Sequence, residues 1–116
     1  MTDLLSKKCV PCESDIPPLT KDEIESYHAE IPEWDVQKDD QGVPRLVRTF
    51  TFKNFAEALA FTDAVGAAAE EAGHHPLIEL TWGRATVSWW THNIKGLHQN
   101  DFIMAARTDK IYTKDK

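Results

Sequence analysis

Apolar and polar positions along the chain follow two alternating periods, and the switches between them lay out the elements. Thr20-Lys21-Asp22-Glu23 has the spacing of a capping box, with a hydroxyl and a glutamate three residues apart, and predicts a short helix from Lys21 to Ala29. Ile31-Pro32 stops it. A period of two follows. Trp34 to Lys38 alternates weakly, with Trp34 and Val36 sharing a face, and Asp39-Asp40-Gln41-Gly42 is a turn. Val43 to Phe52 then alternates with Leu46, Phe50 and Phe52 on one side and Val47, Thr49 and Thr51 on the other. These segments predict a β-hairpin. Asn54 is placed to cap a long helix from Phe55 to Ala72, with Phe55, Leu59, Val65, Ala69 and Ala72 on one broad side and Gly73 as its C-terminal cap. The small run Gly66-Ala67-Ala68-Ala69 lets that helix lie close across a sheet.

The period of two then returns. Ile78, Leu80 and Trp82 alternate with Glu79 and Thr81, and Ala85, Val87 and Trp89 alternate with Thr86, Ser88 and Trp90. Gly83-Arg84 can supply a two-residue turn with glycine first. A last helix runs from about Gln99 to Tyr112, with Phe102, Ile103, Ala106 and Ile111 as its apolar side. The order is α-β-β-α-β-β-α. Two hairpins give a four-stranded antiparallel sheet, with three helices on one face: an α+β domain. Residues 1–19 read as an N-terminal arm and 20–116 as a single domain.

Composition narrows the function classes. The chain has 116 residues, enough for one core and too few for two full domains. Its net charge of −6 argues against a nucleic-acid partner, which a basic footprint would mark. No apolar run approaches a membrane span, and the N-terminus lacks the basic-then-apolar order of a signal peptide, so a cytoplasmic protein is expected. Cys9 and Cys12 have the spacing of a redox pair or half a zinc site, but no second such pair follows. They read as part of a reduced arm.

Five histidines are unusual in so small a chain. A turn at Gly83-Arg84 places Trp82 opposite Ala85, Leu80 opposite Val87 and Ile78 opposite Trp89. Extended, it brings His75 opposite His92 at the open end of the hairpin, with His74 beside them. Glu70 lies one helical turn before His74, able to reach the same cleft or orient an imidazole. Asp101 is a second acid, although a carboxylate in a first helical turn also complements the helix dipole. Trp90 falls on the His92 face, where it could wall a site for a flat ring or meet another subunit. His28 and His98 read as surface or local-structure residues. A histidine cluster leaves two chemistries open, metal binding and metal-free acid–base catalysis.

Glu70-x-x-x-His74-His75-Pro76, then Thr91-His92, then Gly96-Leu97-x-x-x-Asp101 resembles the pterin-4a-carbinolamine dehydratase family over roughly residues 20–112. The resemblance implies dehydration of 4a-hydroxytetrahydropterin to quinonoid dihydropterin, with no metal or organic cofactor. It implies assembly as a homodimer or homotetramer, and a functional link to aromatic amino-acid hydroxylases such as phenylalanine hydroxylase. It makes His74, His75 and His92 the active-site histidines and Glu70 the active-site glutamate. His74 and His92 are then expected to move protons and His75 to hold or polarise the pterin. Glu70, Thr91, Trp90 and Asp101 are expected around the substrate. Two alternatives stay open: a non-catalytic relative acting in binding or assembly, as for a carbon-fixing enzyme, and a metal-binding domain built on the same histidines.

Overall fold

The computed structural model describes residues 19–91 and 96–114. Helix α1 (Lys21–His28) opens with the capping box: Glu23 N–H donates to Thr20 Oγ1 at 3.2 Å, and Thr20 N–H donates to Glu23 Oε1 at 2.9 Å. Strands β1 (Asp35–Lys38) and β2 (Pro44–Thr51) form the first hairpin. Helix α2 (Phe55–Ala72) is followed by strands β3 (Leu77–Thr81) and β4 (Arg84–Trp89), and helix α3 (Gln99–Lys114) ends the fold. All strand pairings are antiparallel, and the sheet order is β1-β2-β4-β3. The two hairpins therefore meet through β2 and β4, and β1 and β3 are the edges. The α+β architecture is as the alternation implied.

The core lies between the sheet and the helices. Leu46 and Phe50 of β2 face the same layer as Ala85, Val87 and Trp89 of β4, all fully buried. Against them pack Ala58, Phe61, Val65 and Ala69 of α2 and the first two turns of α3. Phe50 is the hub, with ring centroids 4.7 Å from Phe61, 4.8 Å from Tyr112 and 5.8 Å from Trp34. Each large side chain so buried stabilises the fold by about 1.5–3 kcal/mol. Asp109 ties α3 to the first hairpin, accepting from Trp34 Nε1 at 2.8 Å and from Arg48 Nη1 at 2.6 Å. Burial pushes its carboxyl above the usual range, against the pull of those two donors.

Three expectations need correction. The buried stripe of α2 is centred on Phe61 and Val65, and it leaves Phe55 and Leu59 each 42% exposed. At about 100° per residue those two lie roughly 100–140° from the stripe's centre, so a broad apolar arc conceals two faces. Trp34 precedes β1 instead of sharing a strand face with Val36, and it is buried while Val36 is exposed. The second hairpin is shifted by two residues: Leu80 pairs with Ala85 and Ile78 with Val87, so the turn is Trp82-Gly83. Gly83 occupies the second turn position at φ 71, a conformation glycine adopts without penalty. A Cβ there would also meet the Phe52 carbonyl oxygen at 3.3 Å. A shift of two keeps every side chain on its expected face but moves the partners at the hairpin mouth.

Candidate active site

Helix α2 ends in a Schellman motif that fixes the start of the site. Gly73 adopts φ 67, its N–H donates to Glu70 O at 3.2 Å, and His74 N–H donates to Ala69 O at 3.1 Å. The chain leaves the helix with His74 turned inward and His75 outward. His74 is 8% exposed, and its ring lies parallel to that of Trp89 at 5.6 Å between centroids and 9° between planes.

His74 Nε2 is 2.6 Å from Asp101 Oδ1, and Asp101 is fully buried. The other oxygen of that carboxylate, Oδ2, accepts from Thr91 Oγ1 at 2.8 Å and from His98 N–H at 2.9 Å. Asp101 thus satisfies donors from three places: the end of α2, the end of β4 and the start of α3. An ionised carboxylate only accepts, so with Asp101 in that form the Nε2 of His74 carries the proton between them, and in the neutral imidazole Nδ1 then keeps a lone pair. Such a carboxylate fixes the tautomer and the orientation of the ring.

The second pair is built from neighbours of the first. His75 Nε2 lies 2.7 Å from Glu70 Oε1, and their side chains are 63% and 80% exposed. Glu70 therefore orients His75, not His74. Continuing the corrected register sets His75 level with Trp90 and His74 level with Thr91, so the expected His75–His92 opposition does not follow from this ladder. Thr91 and Gly96 bridge to each other, with Thr91 N–H donating to Gly96 O at 2.9 Å. His92 lies outside the described residues, as do Cys9 and Cys12.

Trp90, just past β4, is half-buried and packs against the core, with the Arg45 guanidinium 4.0 Å over its ring; His92, whose face it was expected to share, lies outside the described residues. The indole beside His74 is Trp89, which the alternation assigned only to the core. His98, read as a surface or local residue, is buried beside the Asp101 carboxylate. His98-x-x-Asp101 repeats the spacing of a capping box, and that spacing was the available signal. Burial pushes the His98 pKa down, with Asp101 pulling it up and His74 pushing it down. His28 is likewise a local-structure residue: its Nε2 contacts the Trp34 carbonyl oxygen. Among the described residues no three His, Cys, Asp or Glu side chains come together as a metal site, and no helix is long and apolar enough to cross a membrane.

The family model described as pterin 4 alpha carbinolamine dehydratase matches residues 17–111. A provisionally named pterin-4-alpha-carbinolamine dehydratase of Microcystis aeruginosa is 54% identical over 112 residues, covering 97% of this chain and 96% of that protein. One of Saccharophagus degradans, named in the same provisional way, is 55% identical over 112 residues, covering 97% and 98%. Among solved structures, a transcriptional coactivator/pterin dehydratase from Brucella melitensis superposes with a TM-score of 0.73 at 30% identity, covering 82% of this chain and 98% of that one. A pterin dehydratase-like protein described as a RuBisCO assembly factor of the alpha-carboxysome gives a TM-score of 0.59 at 28% identity, covering 69% and 89%.

Proposed function

The chain belongs to the pterin 4 alpha carbinolamine dehydratase family, and we propose that it removes water from 4a-hydroxytetrahydropterin, yielding quinonoid dihydropterin. The observation that carries this reading is the buried His74–Asp101 pair, whose His74 Nδ1 has no hydrogen-bond partner among the described residues. In the reaction the ring-carbon C–O bond breaks and a C=N bond forms to the neighbouring ring nitrogen. The N–H proton passes to a base, and a proton from an acid completes the departing water. No electron is gained or lost overall.

Nδ1 of His74 is one proton-transfer group. His92 is the other, on the sequence match alone. His75, at the exposed lip, holds the pterin ring, and Glu70 fixes its orientation. Thr91 acts by anchoring Asp101. Positioned acid–base groups give about 10²–10⁴-fold acceleration. The pterin so recycled serves an aromatic amino-acid hydroxylase in the cytoplasm. Exposed Phe55 and Leu59 on α2 and the open edge of β3 support assembly with further copies of the chain, to be checked by light scattering.

The test is stopped-flow dehydration of chemically generated carbinolamine, with and without chelator. Turnover unaffected by chelator is expected. His74→Ala should lose at least tenfold, about 1.4 kcal/mol. Turnover lost on chelation turns the reading towards a metal site. No turnover at all sinks the enzyme and favours the non-catalytic role for which the assembly-factor neighbour is the precedent.

A further inference from the structure

We propose that His98 is a positioning residue of this site: as the N-cap of α3 it holds the Asp101 carboxylate in the orientation that meets His74. The inference rests on the dehydratase reading for its kinetic consequence, but not for its structural one. Three hydrogen bonds define the cap. Asn100 N–H donates to His98 Nδ1 at 3.0 Å, His98 N–H donates to Asp101 Oδ2 at 2.9 Å, and Asp101 N–H donates to His98 O at 3.0 Å. This is the reciprocal logic of a capping box, with an imidazole nitrogen in place of a hydroxyl and Asp in place of Glu.

The consequence lies in how the carboxylate is divided. Oδ2 is held by the cap and by Thr91, which leaves Oδ1 aimed at His74 Nε2 at 2.6 Å. The cap requires a lone pair on Nδ1, so His98 is neutral with its proton on Nε2. Burial favours the same neutral form. Among the described residues, the titratable groups acting on His98 are Asp101 from its own helix and His74 from the end of α2. A cationic His98 would turn a donor toward Asn100 N–H and add a positive charge beside His74, opening the cap.

A residue that only stabilised α3 would change melting temperature and leave His74 alone. The discriminating measurement is therefore the NMR titration of the His74 ring, read beside kcat and KM, in wild type, His98→Ala and His98→Ser. Loss of the acceptor in His98→Ala should move the His74 titration midpoint by at least half a pH unit. It should lower kcat about three- to tenfold with KM within twofold. His98→Ser restores a cap acceptor and should return both readouts to within twofold or a quarter unit of wild type. If His98→Ala does not fold, His98→Gly replaces it, since helix N-termini tolerate Gly better than Ala. A folded Ala or Gly variant with an unmoved His74 titration overturns the proposal, as does a folded Ser variant as impaired as Ala. An inactive wild type would instead sink the dehydratase reading, while the titration still decides the role of His98.

Discussion

Adjacent residues His74 and His75 each pair with a carboxylate, yet the two pairs sit in different solvents. His74–Asp101 is enclosed, with side chains 10% and 0% exposed; His75–Glu70 is open, at 63% and 80%. The distances are nearly equal, 2.6 and 2.7 Å, so geometry alone would rank them alike. Environment separates them. An exposed pair is screened and contributes about 0–1 kcal/mol, whereas breaking a buried pair costs about 3–5 kcal/mol because the survivor stays buried. Burial also excludes the water that would compete for the imidazole lone pair. One pair therefore suits proton transfer from a fixed tautomer, and the other suits contact with an incoming ring.

The largest test of this contrast is Asp101→Ala. It strips the acceptor from His74 Nε2, Thr91 Oγ1 and His98 N–H at once. Urea denaturation should show a loss of about 3–5 kcal/mol, and a loss below 1 would mean the network is not held together by this carboxylate. Asp101→Asn sharpens the point. Its amide oxygen can still serve Thr91 and His98, but its NH₂ then faces His74 and imposes the opposite tautomer. Most of the stability should return while the dehydration rate stays low. Next in size is His74→Ala against His75→Ala. The first should lower kcat about 100-fold, within the usual range for a positioned acid–base group. The second should act mainly through KM. Equal effects of the two substitutions on kcat would abolish the distinction between buried and open histidine.

The pH dependence of stability gives a smaller effect with a definite sign. His98 has its pKa lowered in the folded protein, chiefly by burial. The unfolded chain therefore binds its proton at a pH where the folded chain does not. The stabilising contribution of neutral His98 is complete above the unfolded value of about 6.5 and is lost as pH falls toward the folded pKa. Denaturation midpoints should decline below about pH 6.5, and His98→Ser should flatten that decline. An unchanged slope in the variant would remove His98 as its source.

Much of the frame was legible because its signals are local. Thr20 with Glu23, Asn54 at the start of α2 and Gly73 at its end each act within one turn, and all three cap as their spacing implies. The register of the second hairpin was not, because it depends on whether Gly83 takes the first or second turn position, and the alternation of Ile78, Leu80 and Trp82 is identical in both. The site divides the same way. Glu70 and the His74-His75 pair announce themselves by proximity along the chain. Asp101 reaches His74 across 27 positions, and at the third position of a helix it is indistinguishable from an ordinary dipole-compensating acid. His98 does not announce its cap, because histidine is outside the usual N-cap set of Ser, Thr, Asp and Asn.

The smallest expected effect bears on the open pair. In Glu70→Gln the side chain keeps an oxygen that can accept from His75 Nε2, so the substitution removes charge and little else. With both side chains mostly in water, stability should change by less than about 0.5 kcal/mol. On the proposed dehydratase reading the kinetic effect should be a few-fold rise in KM, because a less firmly oriented His75 would meet the pterin ring less often in the bound pose. The charge part of that rise should disappear at about 1 M salt, where the Debye length falls to about 3 Å. The buried pair offers the control: the rate loss in Asp101→Asn should be insensitive to the same salt. If Glu70→Gln instead destabilised the protein as Asp101→Ala does, or lowered kcat with no change in KM, the open pair would belong to the proton-transfer machinery and the division between the two histidines would fail.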